Sequence, residues 1–361
     1  MKKLISLLLL ISLALSLTSC GNADGGGGNG AGKNNYKTKT HAVEELYFDT
    51  ETVISTYGDT SDEEFKKYSD ITDELMKYYH RLFDVYYEYS GMNNIRTINK
   101  NAGISPVEVN EDLIIFLSYC KELFTITHGK TNIMLGSVLV IWHDVREIAD
   151  DNGGVIDPSL LPKSDALAEA ILHTSIDSLV IDREAGTVYI SDPEASIDVG
   201  AVAKGYAVER LYERLVDEGA DSMAINAGGN IKTIGLNPSG EKWRIGITNP
   251  DTSSYESFAC RIAIGEIALV TSGDYRRYFI SGGKKYHHII DPTTLQPAEY
   301  FSSVSILASD SGLADALSTA LFCMSYDDGV KLVSSLSGVE VIWITKDGTI
   351  LHTDGVEFIK D

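Results

Sequence analysis

The sequence predicts a single large α+β domain of mixed sheets and helices, which follows an export signal and a glycine-rich tether. Short strand-like segments and amphipathic helices follow one another from residue 45 to residue 344. There is no internal repeat, and Pro and Gly residues mark turns without marking a linker between two domains. The chain is therefore long enough and continuous enough for one domain with a sizeable core.

The N-terminal segment has the layout of a lipoprotein export signal. Two lysines precede residues 4–17, an apolar run that is too short for a stable membrane span. The run ends in Leu17-Thr18-Ser19-Cys20, which resembles the bacterial lipobox. We expect residues 1–19 to be a signal peptide and the lipidated Cys20 to anchor the protein on the extracytoplasmic face of the cell membrane. An ordinary secretory signal or a buried helix is the alternative.

A flexible tether is predicted after Cys20. Residues 21–32 are mostly Gly with Asn and Ala, so they cannot bury apolar surface and behave as a flexible coil. We expect a linker over residues 20–40 and the folded domain over residues 41–361.

The net charge limits the ligands that the protein can bind, and the cysteine spacing indicates the role of the thiols. The formal net charge of -22 is spread along the chain, so nucleic acid is a poor candidate as a ligand. Cys120, Cys260 and Cys323 show no C-x-x-C spacing, and an odd number cannot all pair within one chain. We predict that all three are small core residues.

Periodicity places the secondary structure. Apolar residues at three- and four-residue steps predict helices over 62–84, 109–125, 199–218 and 311–324, with Gly219 as a C-cap for the third. Alternating or short apolar segments predict strands over 45–57, 179–181, 187–190, 222–225, 243–248, 258–264, 268–271, 304–307 and 339–344.

The first candidate ligand-binding segment lies at the start of the third predicted helix. Asp198 opens a segment rich in Gly and Ala, where small residues allow an anion to approach free backbone N–H groups. Lys204 adds a positive charge. Plain capping of the helix by Asp198 is the alternative.

Two loops supply further candidates. The paired Gly228 and Gly229 follow a strand, which indicates a simple tight turn or a close contact with a ligand. Residues 271–277 and 287–292 gather hydroxyls, arginines, an aromatic ring and two histidines, a mixture that suits an anionic aromatic ligand.

The fourth helix carries the candidate metal ligands. Asp315 and Thr319 are four residues apart and therefore share one helix face. Two hard oxygens on one face suit Mg²⁺, which completes its octahedron with phosphate or water. The alternative is an exposed face, or a hydrogen bond from Thr319 to a backbone carbonyl.

Together, and in this order, these four stretches resemble the ApbE family of FAD:protein FMN transferases from about residue 47 to residue 345. The resemblance implies a T-fold-like domain that cleaves the pyrophosphate of FAD with Mg²⁺. It also implies that FMN passes to a Thr or Ser hydroxyl of a target protein and that AMP is released. The targets implied are flavoprotein subunits of an Rnf- or Nqr-like membrane redox complex.

The resemblance also assigns residues. The implied Mg²⁺ ligands are the carbonyl of Ala201 and the side chains of Asp315, Ser318 and Thr319. His288 is the implied catalytic base. The implied FAD contacts are Asp198, Lys204, Ile289, Phe48, either Tyr86 or Tyr87, and the loop residues Lys130, Thr131 and Asn132.

The chain departs from the family pattern at several positions. Phe48-Asp49 stands where many members have Met-Gly, Thr131-Asn132 replaces Phe-Asp, and Thr294-Leu295 replaces Thr-Gly. Two other functions remain open at this point. The site could hydrolyse FAD to FMN and AMP, or the chain could be a non-catalytic flavin-binding lipoprotein.

Overall fold

The computed structural model describes residues 37–360. Cys20 and the predicted signal peptide lie outside the described residues, as does most of the predicted linker. Within residues 37–360, no helix combines the length and the apolar character that a membrane span requires. The first strand begins at Thr38, just before the predicted start of the domain at residue 41.

Sixteen strands are formed within the described residues. In chain order they are β1 Thr38–Ala42, β2 Thr52–Tyr57, β3 Val107–Glu108, β4 Val155–Ile156, β5 Leu179–Asp182, β6 Thr187–Ile190, β7 Met223–Ala227, β8 Asn230–Ile234, β9 Trp243–Thr248, β10 Phe258–Ile264, β11 Ala268–Gly273, β12 Tyr278–Ser281, β13 Lys284–His287, β14 Phe301–Ala308, β15 Glu340–Thr345 and β16 Ile350–His352.

The α-helices alternate with groups of these strands. In chain order they are α1 Asp62–Phe83, α2 Ile95–Lys100, α3 Glu111–Ile126, α4 Gly136–Asp151, α5 Ser164–Ala170, α6 Ala203–Asp217, α7 Ser311–Phe322 and α8 Tyr326–Ser334. The prediction of one α+β domain is confirmed.

An eight-stranded antiparallel sheet organises the domain, in the order β1-β2-β7-β8-β11-β14-β15-β16. Both faces of its central strands are covered. Val270, Ile306 and Trp343 belong to the apolar cluster that contains α7. Leu269 and Leu307, their immediate neighbours, belong to the cluster that contains the β9–β10 hairpin. Side chains of successive residues point to opposite faces, so these strands are apolar at nearly every position.

Three smaller sheets surround the large one. β9 pairs with β10, β3-β6-β5 form an antiparallel sheet, and β13-β12-β4 form a sheet in which β4 runs parallel to β12. Helices α1, α3 and α6 pack together in the largest apolar cluster, which β2 and β7 also join. Cys120 and Cys323 are buried free thiols, as predicted, whereas Cys260 is only partly buried.

Local periodicity predicted several elements closely. The helix over 62–83 begins with a capping box at Ser61 and Glu64, and the predicted strands over 243–248 and 258–264 are confirmed at both ends. The helix predicted from 199 begins only at Ala203, because residues 199–202 form a turn in which the carbonyl of Val199 accepts two hydrogen bonds.

Other predictions were wrong in extent. The strand predicted over 45–57 is a 3₁₀ turn followed by β2, because Phe48 and Asp49 adopt φ values of 54° and 55° that reverse the chain. The long helix α4 was missed. Its first residue follows Leu135, which provides no side-chain cap, so the sequence lacks the usual start signal there.

Candidate active site

The antiparallel pair of helices α6 and α7 forms the centre of the candidate site. The Glu209 carboxylate on α6 accepts the Ser311 N–H at 2.7 Å, and the Asp315 carboxylate on α7 accepts the Gly205 N–H at 2.7 Å. The two contacts are four residues apart on each helix, and the residue numbers run in opposite directions. The helices therefore pack antiparallel in a fixed register. Continued by one turn, this register places Ala201 and Thr319 at the same end of the pair.

Gly205 allows the two helices to approach closely. A Cβ atom at this position would lie 2.3 Å from the Ser311 carbonyl oxygen and 2.5 Å from the Asp315 Cβ. The alternative interpretation of Asp198, as a plain cap of this helix, is not confirmed, since its Oδ1 accepts the Gly200 N–H in the preceding turn instead. The N-terminus of α6 is capped from outside, by Asp315.

Asp315 is buried beside a single cation. Lys204 Nζ lies 3.7 Å from its Oδ1 and also donates to the side-chain oxygen of Asn230. Burial raises the pKa of Asp315 above its ordinary value even though Lys204 opposes that shift. Burial likewise lowers the pKa of Lys204. A further cation beside this buried carboxylate would therefore stabilise its charged form.

The residues present fit a hard divalent cation. In a continuous helix the Gly205 N–H would donate to the Ala201 carbonyl, but here it donates to the Asp315 carboxylate. Within residues 37–360, the Ala201 carbonyl therefore accepts no backbone hydrogen bond. In the same part of the chain, the partly exposed Thr319 hydroxyl makes no hydrogen bond. A carboxylate, a carbonyl and a hydroxyl at one end of a helix pair are oxygen donors of the kind Mg²⁺ prefers.

Ser318 differs from Thr319 in its surroundings. Its hydroxyl is fully buried, donates to the Asp315 carbonyl at 2.9 Å and pairs with the Ser272 hydroxyl at 2.7 Å. The structure thus uses Ser318 to join α7 to β11. No group of three His, Cys, Asp or Glu side chains is arranged for a metal in the described part of the chain, so Asp315 is the acidic donor of this candidate site.

The two adjacent histidines His287 and His288 have different environments. His287 is buried, and its Nδ1 accepts the Ile289 N–H, so its Nε2 donates to the Ala298 carbonyl. Burial lowers the pKa of His287 to about 4. With both ring nitrogens engaged and the ring neutral, His287 has a structural role.

His288 keeps one ring nitrogen for other uses. Its backbone N–H and its Nδ1 both lie against the Arg277 carbonyl, at 3.1 Å and 3.3 Å. Nδ1 therefore carries the proton, and Nε2 is left as an acceptor. Burial, with added repulsion from Arg277, His287 and Arg146, lowers the pKa of His288 to about 3. The ring is neutral at physiological pH.

Helix α4 adds residues that sequence reasoning did not select. His143 and Arg146 line one small pocket together with His288. The Tyr86 hydroxyl lies 3.3 Å from His143 Nδ1, and Asp198 is near enough to influence the pKa of both Tyr86 and His143. Recognition of the amphipathic segment 136–151 as a helix could have found them. The lining of the pocket is therefore aromatic and apolar, with neutral histidines and the charged Arg146.

At two positions where the family pattern has glycine, this chain has another residue in a backbone conformation that glycine favours. Asp49 has a φ of 55° and Leu295 a φ of 59°, both in the left-handed region. The Trp142 indole N–H donates to the Leu295 carbonyl and helps to hold that turn.

Several predicted flavin contacts are engaged elsewhere. Lys130 Nζ binds Asp291 at 2.7 Å, and the Thr131 hydroxyl donates to the Ala316 carbonyl. The Asn132 amide donates to the Thr174 carbonyl, and Ile289 is buried in the core. In this structure these side chains hold loops together through contacts within the protein, and their contact with flavin stays a prediction. Tyr86 and Tyr87 are both exposed, at 56% and 69%, and the Tyr86 hydroxyl contacts His143, which lines the pocket.

The relatives that this chain resembles are transferases. The "FAD:protein FMN transferase" of Treponema pallidum is 31% identical over 278 residues, which are 73% of each chain. That of Haemophilus influenzae is 28% identical over 276 residues, which are 75% of this chain and 78% of the relative.

Solved structures agree with this class. The ApbE protein of Thermotoga maritima has a TM-score of 0.74 at 26% identity, covering 88% of this chain and 97% of its own. The flavin transferase ApbE of Vibrio cholerae shares the fold, with a TM-score of 0.72. The ApbE family model matches residues 48–343, and this chain belongs to the ApbE family.

Proposed function

We propose that this protein transfers FMN from FAD to a Thr or Ser hydroxyl of a target protein, in a Mg²⁺-dependent reaction that releases AMP. The register of α6 and α7 is the observation that carries this proposal. It pairs Gly205 with Asp315 and Ser311 with Glu209, and this supports a site formed by the Ala201 carbonyl, the Asp315 carboxylate and the Thr319 hydroxyl at one end of the helix pair. The names of the relatives support the same reaction.

The chain supplies two kinds of group to this reaction. Asp315, Thr319 and the Ala201 carbonyl would hold Mg²⁺, which when bound neutralises charge on the pyrophosphate. Arg146, which lines the pocket beside His288, and Lys204, which lies beside Asp315, would bind the anionic part of FAD. The aromatic rings of Phe48, whose turn is held by Arg277, and of Tyr86, which contacts His143, would bind the flavin.

His288 is placed to accept the proton of the acceptor hydroxyl. The hydroxyl oxygen attacks the phosphorus of the FMN half, the bond from that phosphorus to the bridging oxygen breaks, and AMP leaves with the oxygen. The proton passes to Nε2, which the Nδ1 contact with the Arg277 carbonyl leaves free. The charges of Arg277 and Arg146 lower the pKa of His288. A bound pyrophosphate would offset those charges and make the base stronger.

Mass spectrometry of a candidate acceptor tests the proposed function. After incubation with this protein, FAD and Mg²⁺, a covalent FMN adduct on a Thr or Ser of the acceptor is expected. Omission of Mg²⁺ and an Asp315→Asn variant are the controls. Free FMN and AMP without an adduct would indicate a hydrolase, and intact FAD retained with Mg²⁺ present would indicate a flavin-binding protein. Either result contradicts the proposal.

Replacement of His288 by Ala is expected to slow FMN transfer by roughly a hundredfold or more, because the acceptor proton loses its base. The dissociation constant for FAD should stay close to that of the wild type. Steady-state transfer assays and flavin fluorescence titrations measure the two quantities. His352→Ala, on an exposed strand away from the site, is the matched control. Unchanged transfer in His288→Ala would assign that residue a positioning role only.

We also propose that Cys20 carries the lipid anchor and that the acceptors are flavoprotein subunits of an Rnf- or Nqr-like membrane redox complex. The lipobox-like sequence and the glycine-rich segment after it support the anchor. A tether of this kind would let the domain reach subunits in the same membrane.

The Cys20→Ser precursor is expected to remain unlipidated and to lose its membrane association. Detergent phase partitioning of the wild type and the variant measures this, with FMN transfer by the soluble variant as the control for folding. If the wild type partitions into the aqueous phase like the variant, the anchor is absent.

A further inference from the structure

Two adjacent arginines after β11 bind the backbone of two different turns. Arg276 Nη1 donates to the Gly228 carbonyl at 3.0 Å, and Arg277 Nη2 donates to the carbonyls of Phe48 and Asp49, both at 3.3 Å. The two turns also pack on each other, since a Cβ at Gly228 would lie 1.8 Å from Thr50 Oγ1. The arginines therefore fasten the turn before β2 to the turn between β7 and β8.

The turn at Phe48 and Asp49 is strained. Two consecutive residues other than glycine have φ values of 54° and 55°, a region that costs a residue with a Cβ atom free energy. Such strain persists only where the surroundings hold it. Besides Arg277, the His80 Nδ1 holds the turn by accepting the Phe48 N–H at 3.3 Å. The Asp49 carboxylate is mostly exposed and lies 3.9 Å from Arg277 Nη1.

Arg277 connects this turn to the predicted base. Its side chain holds the Phe48 turn, and its carbonyl oxygen lies against the backbone N–H and the Nδ1 of His288. One residue therefore sets the position of the flavin side of the site and the orientation of the histidine. Nη2 serves two carbonyls, and Nη1 lies 3.9 Å from the Asp49 carboxylate.

We propose that Arg277 is a positioning residue that holds the strained Phe48–Asp49 turn, and with it the Phe48 ring, in the shape that binds flavin. The inference rests on the proposed function for the identity of the ligand. The alternative role of Arg277 is direct binding of the pyrophosphate. The two roles predict different FAD affinities in an Arg277→Met protein when a second substitution removes strain from the turn.

Replacement of Arg277 by Met is expected to weaken FAD binding about tenfold or more, because the turn relaxes away from its strained form. Asp49→Gly should restore most of the affinity in the Arg277→Met background, since glycine adopts a φ of 55° at no steric cost. Asp49→Gly alone should bind FAD like the wild type. Flavin fluorescence titration measures all four proteins, and Arg183→Met, in an exposed hairpin turn, is the matched control.

Hydrogen exchange of the Thr50 amide gives a second readout that needs no ligand. This N–H donates to the Tyr47 carbonyl across the turn, so its exchange should accelerate in Arg277→Met and slow again in the double variant. A double variant that binds FAD as weakly as Arg277→Met, with Thr50 exchange unchanged throughout, would show that Arg277 binds FAD directly and would overturn the inference. A wild-type protein that does not bind FAD would refute the proposed function, while the exchange data would still decide the role of Arg277.

Discussion

Replacement of Asp315 by Ala is expected to abolish Mg²⁺-dependent FMN transfer. Asp315 is the only acidic side chain that we assign to the proposed Mg²⁺ site, and Mg²⁺ sites usually depend on one or two carboxylates. Without it, charge on the departing AMP would not be compensated. The loss in rate should therefore be far larger than for Thr319→Ala, where a water can replace a neutral hydroxyl.

Asp315 also has a structural role that the experiment must separate. Its carboxylate accepts the Gly205 N–H and faces Lys204, so the Ala variant leaves a buried donor and a buried ammonium without their partner. We expect the Ala variant to lose about 1–3 kcal/mol of stability for that reason. Asp315→Asn is the matched variant, because its amide oxygen still accepts the N–H while the negative charge is removed.

Transfer rates across a Mg²⁺ titration, with circular dichroism to verify folding, distinguish the two roles. A folded Asp315→Asn protein with transfer lost at every Mg²⁺ concentration supports a metal ligand. Normal transfer by that variant at low Mg²⁺ would refute the metal site and the mechanism that depends on it. Ser318→Ala should retain Mg²⁺ dependence, since its hydroxyl is engaged by Ser272 and by its own helix.

Replacement of Gly205 by Ala is expected to be among the most destabilising single substitutions in the domain. The new Cβ would lie 2.3 Å from a backbone carbonyl oxygen, which cannot rotate away as a flexible side chain can. Overpacking of this kind costs about 1–3 kcal/mol, and a clash with backbone belongs at the upper end of that range or beyond it. Helices α6 and α7 must then separate or slide.

The same substitution should impair function beyond its effect on stability. A shift of α6 against α7 would break the register that brings Ala201 opposite Thr319, so any folded Gly205→Ala protein should bind Mg²⁺ and FAD weakly. Chemical denaturation and FAD titration measure the two effects. Gly265→Ala is the matched control, because its Cβ would meet no atom within 4 Å and its stability should change by less than about 0.5 kcal/mol. Equal stability of the two variants would contradict the close helix contact.

The sequence by itself determined the elements whose signals are local. The helical periodicity that begins at residue 62, the strands over 243–248 and 258–264, and the shared face of Asp315 and Thr319 can all be read within a few turns of chain. The family was likewise readable, because its motifs are contiguous. These features survive in the structure because periodicity, caps and short motifs do not depend on what packs against them.

Only the tertiary structure decided which of the candidate side chains face the site. Asp315 meets Gly205 across 110 positions, and Arg277 reaches Phe48 across 229. Ser318 and Thr131 looked like available hydroxyls in the sequence, yet both bind partners inside the fold, whereas the missed Arg146 lines the pocket. The physical reason is that a polar group is free for a ligand only if no distant part of the chain satisfies it first, and that depends on the packing of the whole domain.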